Sequence, residues 1–204
     1  MSRKRFATWW RRVRSNDDRH PRATVDDAAA IARVRIDCWR LTYRGLIPDA
    51  YLDGMQIDDS TALWQRVLSA GQNTTSVFVA ENDGDVIGFS AGNMLLEPRY
   101  DVDAELSAAY VRREFQRGGV GRRMVAAVAD AQREHGARGL IVWVIAGNKG
   151  ARAFYEGLGA TLLVEQPFEW DGMPLVEAGY AFTDLDALLE ATARVPGARG
   201  SIVH

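Results

Sequence analysis

A segment rich in glycine and arginine is the part of the sequence best suited to chemistry. It spans residues 110–123 and joins a predicted strand to a predicted helix. Glycines leave backbone amides open to an anion, and the amides that begin a helix add the positive end of its dipole. Five arginines supply further positive charge and bidentate donors: Arg112, Arg113, Arg117, Arg122 and Arg123. This arrangement predicts a site for a phosphate or pyrophosphate group.

Two common phosphate-binding motifs are excluded by inspection. No Lys-Ser or Lys-Thr pair follows the glycines, so the segment is not a Walker loop. The spacing of Gly118, Gly119 and Gly121 also differs from the dinucleotide fingerprint. Glycines alone are equally compatible with a simple chain reversal, and it is the arginines and the strand-to-helix context that favour anion binding.

The elements that must position this segment follow from hydrophobic periodicity. Apolar residues at three- and four-residue spacing predict helices over residues 26–40, 59–70, 119–135 and 148–158. Apolar runs between turn residues predict strands over residues 75–81, 86–92, 104–111, 140–145, 160–168 and 173–182. Pro98 is expected in a loop between the second and third strands. This order of elements predicts an α/β (α+β) protein with a mixed sheet covered by helices.

Length and composition are those of one globular, soluble domain. The chain has 204 residues, of which 47% are apolar, so it can bury a substantial core and is neither wholly disordered nor fibrous. The single cysteine, Cys38, cannot form an internal disulfide, which favours the cytoplasm. We interpret Cys38 as a small core residue rather than a nucleophile. No metal site is predicted, because the three histidines are isolated from one another and from Cys38.

Charge is distributed unevenly along the chain. Residues 1–22 contain eight Lys or Arg and two Asp, a net charge of +6, whereas the whole chain carries −2. The remainder is therefore acidic, at −8. A basic extension with aromatic residues can contact nucleic acid or an anionic membrane. A mobile or self-docking extension is the simpler interpretation.

Three residues of the glycine-rich segment fit a known signature. Gln116, Gly119 and Gly121 match the pattern of Gln or Arg, two residues, Gly, one residue, and Gly or Ala. In this the sequence resembles the GNAT superfamily of acyl-CoA-dependent N-acyltransferases. Residues 26–53 are similar to the first two helices of many bacterial members, and residues 148–160 to the family's last motif. The resemblance covers about residues 23–182 and leaves outside it the basic extension, residues 1–22, and a tail, residues 183–204.

The resemblance implies a fold and a co-substrate. The sheet would be mostly antiparallel, covered by helices on both faces, and splayed by a bulge between its fourth and fifth strands. Acetyl-CoA would place its pyrophosphate on the glycine-rich turn and its pantetheine arm in the splay. The residues expected to bind it are Tyr110, Val111, Gln116, Arg117, Gly118, Gly119, Val120, Gly121, Arg122, Arg123, Asn148, Ala151, Arg152 and Phe154.

Acyl transfer to an amine requires a neutral amine, and therefore a base, because an ammonium has no free electron pair. Glu105 is our candidate, since it lies eleven positions before Gln116, where family members with a glutamate base carry it. Regular strand alternation puts Glu105 on the opposite face from Leu106 and Tyr110. The alternative interpretation is a solvated strand-edge carboxylate. Asp101 and Asp103 are weaker candidates.

The departing CoA thiolate would be protonated by Tyr155, which matches the tyrosine of the family's last motif. Without the family, the pair Phe154 and Tyr155 would be interpreted as core packing. By the same resemblance Trp39, Tyr43 and Arg44 line the acceptor pocket, although Trp39 is equally compatible with the core. The expected reaction is transfer of an acetyl group to a primary amine of a small molecule or peptide.

A second function remains open at this point. The chain could be a non-catalytic acyl-CoA-binding module whose basic extension docks a polyanionic partner. A homodimer formed through the final strand or the tail is expected by analogy with the superfamily alone.

Overall fold

The structure, a computed structural model, describes residues 21–70 and 74–193. Nearly all of the basic extension and the end of the tail lie outside these residues. The helices, in chain order α1 to α6, are Ala28–Thr42, Asp49–Gly54, Ile57–Ser69, Val120–Glu134, Lys149–Glu156 and Leu185–Ala193. The strands, in chain order β1 to β6, are Ser76–Asn82, Asp85–Arg99, Val102–Val111, Leu140–Ile145, Thr161–Trp170 and Met173–Phe182. Short 3-10 turns occupy Val25–Asp27 and Arg113–Phe115.

The six strands form one mixed sheet in the order β1-β2-β3-β4-β6-β5. β3 and β4 run parallel, whereas the other neighbours among the described strands are antiparallel. The turns of the two outer hairpins contain residues in the left-handed region, Asp83 and Gly84 in one and Asp171 and Gly172 in the other. Such pairs are typical of tight hairpin connections. The predicted mixed, mostly antiparallel sheet is confirmed.

Helices cover both faces of the sheet, as predicted. On one face, α4 packs its apolar side, including Met124 and Val128, against β1, β2 and β3, and Ser90 of β2 donates a hydrogen bond to the Met124 carbonyl at 3.0 Å. On the other face, α1 and α3 enclose a second cluster that contains Phe89 and the buried Cys38. The interpretation of Cys38 as a core residue is therefore confirmed, and burial raises the pKa of its thiol to about 12.

β3 and β4 separate soon after they meet. They pair only through Ala104 with Leu140 and Glu105 with Ile141, and beyond these residues the strands diverge. An isolated bridge between Arg22 and Phe78 adds one more pairing outside β1. Among the six described strands the splay lies between the third and the fourth, β3 and β4, whereas the family resemblance placed it between the fourth and fifth.

Two further features differ from the sequence prediction. Pro98 lies within β2 rather than in a loop, at a point where β2 is not in register with β3, so no ladder hydrogen bond is needed from the proline. The packed body also continues past residue 182, because Leu185 and Leu188 of α6 are buried in the main core cluster. Within the described residues, no helix is long and apolar enough to cross a membrane.

Candidate active site

The glycine-rich turn places several backbone amides at the start of α4. Arg117 and Gly119 both have positive φ angles, 61° and 80°, which turn the chain sharply before the helix. The first bond within α4 runs from the Arg123 amide to the Gly119 carbonyl at 3.1 Å. The amides that begin α4 precede this first bond and lie at the positive end of the helix dipole. The turn is a concave cluster of donors suited to an anion.

The side chains of Gln116 and Arg123 bond to the turn and its flanking strand, whereas that of Arg122 points away to α6. Gln116 donates from Nε2 to the Val111 carbonyl at 2.9 Å and so ties the turn to the end of β3. Arg123 reaches back to the Gly118 carbonyl at 3.4 Å, and burial lowers the pKa of its guanidinium. Arg122 instead donates to the Ala191 carbonyl of α6 at 3.1 Å. The backbone of Arg122 thus lies at the turn, whereas its guanidinium helps to anchor α6.

A cavity of about 300 Å³ lies beside the turn, on the α1 side. It is lined by Cys38, Leu41 and Thr42 from the end of α1, and by Arg113 and Gln116 from the segment after β3. These residues are far apart in the sequence and meet only because α1 crosses over β3.

The far wall of the splay is formed by α5. Phe154 is 36% exposed and leans over the turn, since a Cβ placed on Gly121 would lie 3.3 Å from its ring. Asn148 begins the helix, and its Oδ1 accepts the Ala151 amide at 3.1 Å. Arg152 donates to the Tyr180 hydroxyl and the Ala146 carbonyl and forms an ion pair with Glu165 at 2.7 Å. The guanidinium of Arg152 is therefore committed to holding α5 on the sheet.

A β-bulge changes the predicted orientation of Glu105. Leu106 pairs with Gly92, but Ala108 pairs with Ala91, so Ser107 is an extra residue in β3. Glu105 and Tyr110 consequently face the same side of the sheet, the α1 side, and the predicted opposite orientation is wrong. Burial, and then the charge of Glu177, raise the pKa of the Glu105 carboxyl.

Glu177 is a charged neighbour of Glu105 that the sequence analysis missed. It pairs with Ile145, which shares a face of β4 with Ile141, the partner of Glu105. Trp143 lies on the same face of β4, between Ile141 and Ile145. Its ring packs on Gly179, where an added Cβ would lie 2.7 Å from the nearest ring atom. The signal was a charged residue at an inward position of β6.

Asp101 and Asp103, the two weaker candidates for the base, lie in different environments. Asp103 accepts the amides of Arg138 and Gly139 at 2.8 and 3.1 Å and pairs with the Arg138 side chain. Burial alone would raise the pKa of Asp103, but these hydrogen bonds outweigh it and lower the pKa. Asp101 is exposed in the turn between β2 and β3 with a φ angle of 60°. Neither residue is arranged as Glu105 is, on the face of the splay.

Tyr155 is buried in the main core, 5% exposed, with its ring edge-on to Phe154 and Phe182. Burial and then the nearby Tyr110 raise the pKa of its hydroxyl strongly. The phenol therefore stays protonated at neutral pH, as a proton donor must. Tyr155 therefore packs in the core and also lies near the splay.

The predicted acceptor residues have distinct environments. Trp39 is 6% exposed and donates from Nε1 to the Tyr110 hydroxyl at 3.0 Å, so it is a core residue that also orients Tyr110. Tyr43 packs edge-on against Trp39, with ring centres 4.9 Å apart, and the side chains of Tyr110 and Asn148 lie close enough to its hydroxyl to act on its pKa. Arg44 pairs with Asp49 and Asp53 and holds α2 beside α1.

Among the residues that the structure describes, no group of three His, Cys, Asp or Glu side chains is arranged to hold a metal ion. What the arrangement offers is an anion-binding turn, a cleft between two diverging strands, a carboxylate of raised pKa on one wall and a buried phenol near the other.

Comparison with known proteins gives the same family for most of the chain. The model of the Acetyltransferase (GNAT) family matches residues 34–160. The N-acetyltransferase YuaI of Bacillus subtilis (strain 168), itself uncharacterized, is 34% identical over 167 residues, covering 81% of this chain and 93% of that protein.

Solved structures share the fold at low sequence identity. The PaiA N-acetyltransferase from Thermoplasma acidophilum, in complex with coenzyme A, has a TM-score of 0.61 at 18% identity and covers 78% of this chain and 95% of its own. The yncA protein from Salmonella typhimurium, with its cofactor acetyl-CoA, has a TM-score of 0.59 at 21% identity and covers 81% and 92%. With the family match and the YuaI relative, the chain belongs to the GNAT family of acetyltransferases and is an acetyltransferase enzyme.

Proposed function

We propose that this enzyme transfers an acetyl group from acetyl-CoA to a primary amine of a small molecule or peptide, by direct attack of the amine. The observation that carries the proposal is the placement of Glu105. It lies on the face of the splay, on the last residue pair that joins β3 to β4, and its carboxyl has a raised pKa. A carboxylate of raised pKa is a better proton acceptor at neutral pH than an exposed one.

The glycine-rich turn supplies the anchor. The amides of residues 117–122 would hold the pyrophosphate, with Gly118 and Gly119 leaving the approach free of side chains. The backbone of Tyr110 and Val111, on the strand that has left β4, would pair with the pantetheine arm as an added strand does. When bound, acetyl-CoA supplies the activated acyl group and a thiolate leaving group.

Two side chains move protons. Glu105 accepts the proton of the attacking amine, directly or through a water molecule, and so keeps the nucleophile neutral. Tyr155 donates its phenolic proton to the departing sulfur, and the phenolate that remains is reprotonated from solvent after product release. Tyr155 is protonated at neutral pH, so the donor carries its proton at the start of each turnover. The two groups approach the reaction from opposite walls of the splay.

Free thiol release with a panel of amines tests the proposal. Wild-type protein and acetyl-CoA are mixed with small amines, aminated sugars and peptides with free N-termini, and acetylated products are confirmed by mass. We expect turnover with at least one amine, a fall in kcat of about 100-fold in Glu105→Gln, and a smaller fall in Tyr155→Phe. Unchanged kcat in both variants would contradict the assigned roles.

Binding without turnover would point to the rival function, a non-catalytic acyl-CoA-binding module. That function requires the basic extension, residues 1–22, to bind a polyanion. Salt-sensitive binding of the full chain to an oligonucleotide or an anionic vesicle, lost on deletion of residues 1–22, would support it. Turnover that is unaffected by this deletion would contradict it.

A further inference from the structure

Tyr43 occupies a position that the reaction scheme above does not use. It caps the C-terminus of α1, and its carbonyl accepts the amides of Leu46 and Ile47, both at 2.9 Å. The ring is fixed as well, because it packs edge-on against Trp39. Backbone and ring therefore give the Tyr43 hydroxyl a defined position above the sheet.

Two polar side chains that act on the pKa of this hydroxyl, Tyr110 and Asn148, belong to opposite walls of the splay. Tyr43 also packs against the same buried cluster as Tyr110 of β3 and Ile145 of β4. Tyr110 belongs to β3, in the part of the strand that no longer pairs with β4. Asn148 follows β4 and begins α5, the helix that carries Tyr155. Tyr43 thus connects two walls that are not joined to each other by strand pairing at this level.

Each wall is separately fixed at its contact with Tyr43. The Tyr110 hydroxyl accepts the Trp39 indole N–H at 3.0 Å, which leaves it one further lone pair for the Tyr43 hydroxyl. The Oδ1 atom of Asn148 caps α5 by accepting the Ala151 amide, so its amide nitrogen is left to face Tyr43. The contacts of Tyr43 are therefore made to groups that cannot easily move away.

A second contact joins the same two parts of the molecule. Leu46, three residues after Tyr43, lies against Gly147, where an added Cβ would be only 2.6 Å from its side chain. Gly147 directly precedes Asn148. The corner after α1 thus packs on the turn between β4 and α5 through an apolar contact as well as through the Tyr43 hydroxyl. Separation of the walls would disturb both.

We propose that Tyr43 is a positioning residue, which together with Leu46 braces the splay and fixes the width of the cleft that takes the pantetheine arm. The inference rests on the proposed function, since it assigns the arm of acetyl-CoA to this cleft. The brace acts on the arm and not on the pyrophosphate turn, which is built from the chain after β3. It follows that loss of the brace should weaken ligands in proportion to how much of the arm they contain.

Calorimetric binding of two ligands by the full chain tests this inference without any turnover. Acetyl-CoA contains the arm, whereas adenosine 3′,5′-bisphosphate lacks it. For Tyr43→Phe, which keeps the ring but removes the hydroxyl between the two walls, we expect acetyl-CoA to bind about tenfold more weakly and adenosine 3′,5′-bisphosphate to bind as in wild type. Gly147→Ala, which pushes Leu46 outward, should give the same selective loss. Tyr51→Phe removes a hydroxyl that accepts a hydrogen bond from the Trp170 indole, on α2 rather than at the corner after α1, and both affinities should be retained.

Equal loss for the two ligands in Tyr43→Phe, with a lowered melting temperature, would mean a purely structural role and overturn the inference. Undiminished acetyl-CoA binding would overturn it as well. Selective loss in both cleft variants supports it whether or not an acceptor amine is found. Turnover of the wild type with an unaffected Tyr43→Phe variant would leave the proposed function standing and reject only the brace.

Discussion

Glu105 and Glu177 face the same side of the sheet from strands on either side of β4, and the charge of Glu177 raises the pKa of Glu105. Neither carboxylate takes part in an ion pair within the part of the chain that the structure describes. Gln166 donates a hydrogen bond to Glu177 at 2.8 Å and holds it in place. A nearby negative charge disfavours the ionised form of Glu105, and a raised pKa suits the role of base that we propose for this residue.

Replacing Glu177 by Gln should move the acid limb of the pH profile. The proposed mechanism requires ionised Glu105, and loss of the neighbouring negative charge should lower the pKa of Glu105 toward its ordinary value of 4.5. The profile of kcat/KM should therefore extend to lower pH in Glu177→Gln than in wild type. Added salt screens the charge of Glu177 in wild type, so the difference between the two profiles should shrink as salt is raised. A limb that stays in place would show that burial alone sets the pKa of Glu105.

Glu105→Gln should lose activity and gain stability. The folded protein prefers the protonated form of Glu105, because its pKa in the fold lies above the unfolded value. The stabilisation is complete below the unfolded pKa and is lost as the pH rises through the folded pKa. Glutamine cannot ionise, so the variant should melt a few degrees above wild type at pH 7 and at the same temperature as wild type near pH 4. A lower melting temperature of the variant at pH 7 would show that ionised Glu105 does not destabilise the fold.

Much of the fold could be predicted because its elements have strong local signals. The apolar run of residues 140–145 coincides with β4, Leu140–Ile145, and the helical periodicity before Gly136 coincides with α4 within one residue at each end. The turn before α4 could also be predicted, because glycines together with arginines between a strand and a helix favour an anion-binding turn. These features depend on neighbours in sequence, which a single chain reveals.

The orientation of Glu105 could not be predicted for a physical reason. A bulge inserts one residue into a strand without a distinctive side chain, and Ser107 in a run of small residues gives no sign of it. One extra residue reverses the faces of everything that follows, so alternation misplaced Glu105 relative to Tyr110. Glu177 was missed because its relation to Glu105 depends on strand order across three strands, which only the folded sheet defines.

Deletion of Ser107 should close the splay and spare the core. Leu106 faces α4 and Ala108 faces α1, so removing the residue between them restores regular alternation and leaves both side chains on their present faces. The bend that separates β3 from β4 should then be lost. We expect a folded protein with acetyl-CoA affinity reduced by at least about tenfold, measured by calorimetry. The substitution Ser107→Ala removes only the hydrogen bond to the Ala91 carbonyl and serves as the control, with affinity close to wild type.

The φ angle of Gly119 should matter for the ligand and not only for the fold. Gly119 and Gly172 have nearly equal positive φ angles, 80° and 76°, so an alanine at either costs about 1 kcal/mol of stability. At Gly119 the added Cβ also lies 3.0 Å from the Arg123 guanidinium, whereas at Gly172 nothing lies within 4 Å. Gly119→Ala should therefore lower both the melting temperature and the affinity for acetyl-CoA, the latter by about tenfold through loss of one amide contact. Gly172→Ala should lower the melting temperature alone, because its turn joins β5 to β6 far from α4. Equal affinities in the two variants would mean that the turn before α4 does not hold the pyrophosphate.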